Sequence, residues 1–184
     1  MSRIRNCLLA LSLAMVTTVG PSQSAVAASA SELATDGKAA LERLYAQSAK
    51  ARTYGRDARA ILVFPKIVKA GLVVGGQSGE GVLLVDGKPE GYFRISAASI
   101  GLQAGGQTFG YALFLMNDSA ITYLRENDGW AIGTGPSVVV VNEGAAETAN
   151  STTLRKDVYA FPFDQKGLMA GVDLEGSKIS RIKR

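Results

Sequence analysis

The sequence has no histidine and a single cysteine, Cys7. Without histidine there is no Ser-His-Asp or Cys-His arrangement, and the commonest protein metal ligand is missing. Cys7 lies ahead of the first apolar run, not after it, where an acylated lipoprotein cysteine would stand. There is no G-x-x-x-x-G-K-[ST] loop. No G-x-G-x-x-G sits between a strand and a helix, so a nucleotide site is not expected. No carboxylate grouping has calcium-loop spacing. Asp86, Glu90, Asp118, Asp128, Glu143, Asp164 and Asp173 are the acids from which a paired-carboxylate site would be drawn, but most fall in predicted turns or caps. A Ser-Lys acyl-transfer pair stays open on composition alone. The inventory predicts a protein that is not an enzyme, with no cofactor and no metal.

What is present starts with a leader. Arg3 and Arg5 precede an apolar run from Leu8 to Val19, followed by Pro21 and small residues. Ala25-Val26-Ala27 matches an A-x-A cleavage pattern, so residues 1–27 read as a secretory signal peptide and 28–184 as the mature chain. A cut after Ala30 fits nearly as well. The run is too short for a membrane span, which needs about 20 residues. The expected location is periplasmic or fully secreted. Without Cys7 the mature chain has no thiol, so packing and backbone pairing must supply its stability. The formal charge falls from +4 to +2 without Arg3 and Arg5. That weak balance gives no warrant for nucleic-acid binding.

The remaining length suits one domain. Ser31 to Asp57 has a helical apolar pattern in Leu41, Leu44 and Tyr45. Gly37 moves the expected start toward Lys38, and Gly55 is the expected break before a short helical segment at Arg56 to Ala60. Ala60 to Phe64 reads as a short strand stopped by Pro65. From Gly71 to Ile95 the sequence reads as two or three strands, with Asp86-Gly87 as a hairpin turn. Ser96 to Gln107 and the apolar Tyr111 to Met116 read as strands, the latter central and buried. Asn117 or Asp118 caps a short helix through Leu124. Strands follow at Trp130, Ser137 to Val141, Val158 to Phe163 and Gly167 to Leu174. Glu143 to Thr153 reads as a loop, and Lys178 to Arg184 as a final edge strand. The expected fold is α+β: an N-terminal helix and one inserted short helix packed on a glycine-rich, largely antiparallel sheet or open barrel.

The pattern G-L-x-x-G-G-Q occurs twice, at Gly71 to Gln77 and at Gly101 to Gln107. Its glycines fit a bulge, a bend or close backbone approach, or room left for a ligand. Phe64-Pro65-Lys66-Ile67-Val68-Lys69 and Tyr92-Phe93-Arg94 mix cations with aromatic and aliphatic groups, which suits a water–headgroup–acyl boundary as well as an ordinary surface.

Four stretches carry a resemblance: ARAILVFPKIVKAGLVVGGQSGEGVLLV, GYFRISAASIGLQAGGQTFGYALFLMNDSAITYL, DGWAIGTGPSVVVV and GLMAGVDLEGSKISRI. Together they resemble the SYLF-domain family over about residues 50 to 182. This family is the lipid-binding domain shared by bacterial exported proteins and eukaryotic actin-patch proteins. The resemblance implies binding to anionic phospholipid headgroups or a membrane surface, with no catalytic set. Actin, a partner of some eukaryotic members, is not expected in the compartment of an exported chain. Lys66, Lys69, Phe64, Tyr92 and Arg94 are the candidate lipid-binding residues. The alternative is a structural or protein-interaction component of the cell envelope without a lipid ligand.

Overall fold

A computed structural model describes residues 29–71, 74–100, 105–126, 129–141, 156–167, 174 and 176–184. The expected signal peptide, the Glu143 to Thr153 loop and most of the expected Gly167 to Leu174 strand lie outside the described residues.

Helix α1 (Ala30–Gln47) begins earlier than Gly37 suggested, because Ser29 and Glu32 form a reciprocal capping box. Ser29 N donates to Glu32 Oε2 at 2.8 Å and Glu32 N to Ser29 Oγ at 3.2 Å. Gly37 lies inside the helix, at the point where a Cβ would overlap Val82 Cγ1. The break falls at Ser48, not Gly55. Ser48 N donates to Leu44 O, and Ser48 Oγ accepts from Ala51 N to start α2 (Ala49–Asp57). Gly55 belongs to α2, where the Tyr45 hydroxyl occupies the space a side chain would need.

The strands are β1 (Ala60–Gly71), β2 (Val74–Val85), β3 (Lys88–Ile100), β4 (Gly105–Leu115), β5 (Trp130–Ala131), β6 (Val138–Val140), β7 (Val158–Gly167) and β8 (Lys178–Ile182), with α3 (Asp118–Glu126) after β4. They form one sheet in the order β5-β8-β3-β2-β1-β4-β7-β6. Every pairing is antiparallel except β6 with β7. The expected α+β fold and largely antiparallel sheet are borne out. The C-terminal strand is not an edge, because β5 lies outside it. Asp86 (φ 50°) and Gly87 (φ 71°) form the tight turn between β2 and β3, both in the left-handed region that a two-residue hairpin loop requires.

Both faces of the sheet are buried. The inner face carries Leu62, Phe64, Ile67, Phe93, Ile95, Tyr111, Leu113 and Leu115, closed by Ala120, Ile121 and Leu124 of α3 and by Trp130. The outer face carries Val63, Val82, Leu84, Ala112, Phe114 and Phe161, covered by α1 and α2 through Ala40, Leu41, Leu44 and Ala51. Trp130 of β5 and Val138 of β6 pack into the same inner core from opposite ends of the strand order. In a flat sheet those strands would stand roughly 34 Å apart, so the sheet must curl into a half-barrel. A continuous apolar run such as Tyr111 to Leu115 serves such a two-sided sheet.

Pro65 does not stop β1. It sits in the middle of that strand, where a missing N–H is tolerated only at an irregularity. The register slips there on both sides: Val63 pairs Val82 but Lys66 pairs Glu80, and Phe64 pairs Tyr111 but Ile67 pairs Phe109. The extra residue returns Ile67 to the inner face with Phe64. Gly81 and Gly110 stand opposite the bulge on the two neighbouring strands.

Asp157 ties three elements together. Its Oδ1 accepts from Asn117 Nδ2 at 2.8 Å, and its Oδ2 accepts from Ser137 N at 2.8 Å and Ser137 Oγ at 2.7 Å. Asn117 Oδ1 in turn accepts from Ala120 N and opens α3. The bonds from Ser137, backbone first and then hydroxyl, hold the Asp157 carboxyl below its usual range, with Asn117 adding to them. A lowered folded-state pKa contributes stability that is complete above the unfolded value of about 3.9 and is lost as pH falls through the folded value. Asp157→Ala is expected to cost about 2 kcal/mol at neutral pH. Urea titrations across pH 2 to 7 should show a shallower acid limb in the variant than in the parent.

Candidate lipid-facing surface

Beyond Ile67 the strands β1 to β4 run on past the last apolar layer of the core toward the two G-L-x-x-G-G-Q segments. Register places the repeats side by side. Gly71 pairs with both Gly75 and Gly105, and Lys69 pairs with both Gln77 and Gln107. The two glutamines are buried. Gln77 Nε2 donates to the buried Ser177 hydroxyl at 2.9 Å, whereas Gln107 Oε1 has no hydrogen-bond partner among the described residues. A Cβ at Gly71 would lie 2.5 Å from Gly75 Cα, so close backbone approach accounts for that glycine. The space at Gly106 is open, with nothing nearer than 3.9 Å.

The five candidate residues separate. Phe64 is fully buried in the inner core and presents nothing to a ligand in this conformation. Lys69 lies on the inner side of β1, half-buried between the two glutamines. Lys66 is exposed on the outer side, in a cross-strand row with Glu80 and Arg94. Tyr92 is half-buried on the same outer side, against the cluster under the helices. The fold therefore brings Lys66, Tyr92 and Arg94 together and sends Phe64 and Lys69 to the other face. The strand period is two, so Lys66 and Lys69, three apart and beyond the bulge, point to opposite sides.

Arg94 is not free to bind. It pairs with Glu80 at 2.8 Å, and Arg184 pairs with the other Glu80 oxygen. Burial pushes the Glu80 carboxyl up, but the hydrogen bonds and charges of Arg94 and Arg184 outweigh it and hold the group below its usual range. Asp164 is likewise committed: burial raises it, while Arg43 (2.9 Å), Gln47 and the charge of Lys166 hold it lower. Among the described residues, the carboxylates nearest this end of the sheet are thus paired.

Sequence reasoning missed the next row. Lys178, Ser96, Ser78, Val68, Thr108 and Lys166 follow one another in register across β8, β3, β2, β1, β4 and β7. Both lysines are exposed, and Val68 between them is 47% exposed. The row after it holds Ala98, Gly76, Ala70 and Gly106, and Val74 lies beyond at 69% exposed. The signal in the sequence was the repeat itself, whose small residues leave the valines standing clear.

The opposite end carries a cleft of about 610 Å³ between α2, α3 and the β2–β3 turn. Its rim mixes Arg56 and Arg59 with Asp86 and Asp118, and Arg125 pairs with Glu90. Balanced charge of this kind selects no ligand of one sign. Among the described residues no group of His, Cys, Asp or Glu is placed to hold a metal. No described helix is long and apolar enough to cross a membrane.

The architecture is a curled sheet with helices on its outer face and an end that, among the described residues, is rimmed by lysines. A family model described as Ysc84, a Las17-binding protein actin regulator, matches residues 96–184. That match agrees with the resemblance of the sequence to the SYLF-domain family. The Phe-Pro motif and the first glycine repeat fall before the matched stretch. No curated protein matches the chain at a significant level.

Proposed function

We propose that the protein is an exported, non-enzymatic domain that binds anionic phospholipid headgroups at the cell envelope. The observation that carries this reading is the outer face at the sheet end. There Lys66, Lys166 and Lys178 have no carboxylate within ion-pairing distance among the described residues, while Glu80 is held by two arginines. The family match over residues 96–184 and the lipid binding that the SYLF resemblance implies point the same way. The A-x-A leader supports a periplasmic or secreted location, and the lack of histidine and of a mature thiol supports the absence of catalysis.

The test is co-sedimentation with neutral and anionic vesicles at low and physiological salt. Binding to anionic vesicles alone, weakened by salt, is the expected result, since each lysine near such a surface contributes about 1 kcal/mol and the field is screened within about 8 Å at physiological salt. Absence of binding at both salt levels would sink the reading. The two lysines first singled out should differ. Lys66→Gln is expected to weaken binding about five-fold, the equivalent of that 1 kcal/mol, and Lys69→Gln, on the inner side, to change it little.

A second reading has its own observation. The family whose model matches is one of Las17-binding proteins, and Las17 is a protein rather than a lipid. On that reading the chain holds an envelope protein, and crosslinking in the native envelope would capture one dominant partner with no lipid signal.

A further inference from the structure

We infer that the protein meets an anionic bilayer through the outer face of the sheet end and not through its N-terminal helix; this rests on the lipid-binding reading above. The surface runs from the row of Lys66 through that of Val68 and Ala70 to Val74. Lys66, Lys166 and Lys178 reach phosphates, and Val68, Ala70 and Val74 enter the headgroup–acyl boundary.

Three observations favour a bilayer as the occupant. The first is charge: three exposed lysines stand around the surface, and the described carboxylates beside them are already paired, Glu80 with Arg94 and Arg184 and Asp164 with Arg43. The second is shape. Apart from the lysines, the described side chains on the face are valine, alanine, serine, threonine and glycine, with none among them of the aromatic anchors that give protein interfaces most of their energy. A fluid surface needs no complementary knob. The third is the exposure of Val68 and Val74, the two large aliphatic side chains that stand out from the described surface, both at this end. Helix α1 is unsuited to the task in this fold. Leu33, Ala34, Ala40, Leu41 and Leu44 are all buried, so its apolar stripe faces the protein. Freeing it would expose Val82 and Leu84 beneath.

The test compares the purified protein with two variants of equal charge change on vesicles of 30% phosphatidylglycerol in phosphatidylcholine. One variant carries Lys66→Gln, Lys166→Gln and Lys178→Gln. The other carries Lys38→Gln, Arg59→Gln and Lys88→Gln, all exposed positions on α1, before β1 and at the β2–β3 turn. At about five-fold per lysine the first should bind roughly 100-fold more weakly, and the second should lose less than about five-fold. Val74→Ser, which leaves the net charge unchanged, should also weaken binding, and an unchanged affinity would remove Val74 from the surface. Trp130 emission and thermal melts confirm that each variant is folded. Equal losses in the two triple variants, or none in either, would overturn the surface while leaving lipid binding intact. A parent that does not sediment with these vesicles would overturn both, and the face would then belong to a protein partner.

Discussion

Replacing Gly81 with valine is expected to remove a large share of the protein's stability. Pro65 forces a bulge into the middle of the sheet, and the bulged Phe64 and Val63 lean across Gly81. A Cβ there would lie 2.5 Å from Val63 O and 2.6 Å from Phe64 Cδ1. The first of these is backbone in a central strand paired on both sides, so it cannot swing away as a surface side chain would. Overpacking in a core costs typically about 1–3 kcal/mol and occasionally more. With a rigid carbonyl and a fully buried ring in the way, roughly 3 kcal/mol or more is expected. A domain of ordinary stability has about 5–15 kcal/mol in total. Urea unfolding followed by Trp130 emission measures the loss. A change below about 1 kcal/mol would mean that the bulge can shift along the strand. Gly79 faces the same strand, where a Cβ would lie 2.7 Å from both Lys66 O and Ile67 Cγ1. The two glycines of G-E-G are therefore explained by the neighbouring strand rather than by a ligand.

Phe64→Ala is expected to cost roughly 3–5 kcal/mol and to leave the affinity of the surviving folded molecules for anionic vesicles unchanged. Phe64 packs in the inner core with Leu62, Tyr111 and Leu113 and is fully buried. Truncation removes apolar contact on all sides and leaves a cavity that two-sided packing cannot easily close. If Phe64 were instead a lipid contact, its loss would lower affinity and spare stability. Chemical denaturation and vesicle binding of the same variant, the latter below its melting transition, separate the two cases. Lys66→Gln is the converse. Its exposed position predicts a stability change within about 0.5 kcal/mol.

The sequence by itself determined the class of fold, the identity of the buried strands and most of the turns. Tyr111 to Leu115 was legible as a central strand because a run without polar residues can only be buried on both faces. Asp86-Gly87 was legible because few residue pairs accept two left-handed conformations in succession. The helical stretch before β1 and the short helix after β4 were legible in their periodicity, although their ends and the division at Ser48 were not. Helix boundaries are set by caps, and Ser29 and Ser48 make theirs through side-chain bonds that a run of small residues does not advertise. Gly37 and Gly55 looked like breaks because glycine weakens a helix in isolation. In the fold each makes room, for Val82 and for the Tyr45 hydroxyl.

The surface was decided by the tertiary structure. Phe64, Lys66 and Lys69 are neighbours in the chain, yet one is core, one faces outward and one faces inward, because a strand alternates and a bulge resets its phase. The lysines that stand with Lys66 come from strands a hundred or more residues further along, brought alongside across β4 on one side and across β2 and β3 on the other. A hydrophobicity pattern reports which side chains leave water. Which charged groups share one face depends on strand order, and strand order is a property of the closed sheet and not of any segment within it.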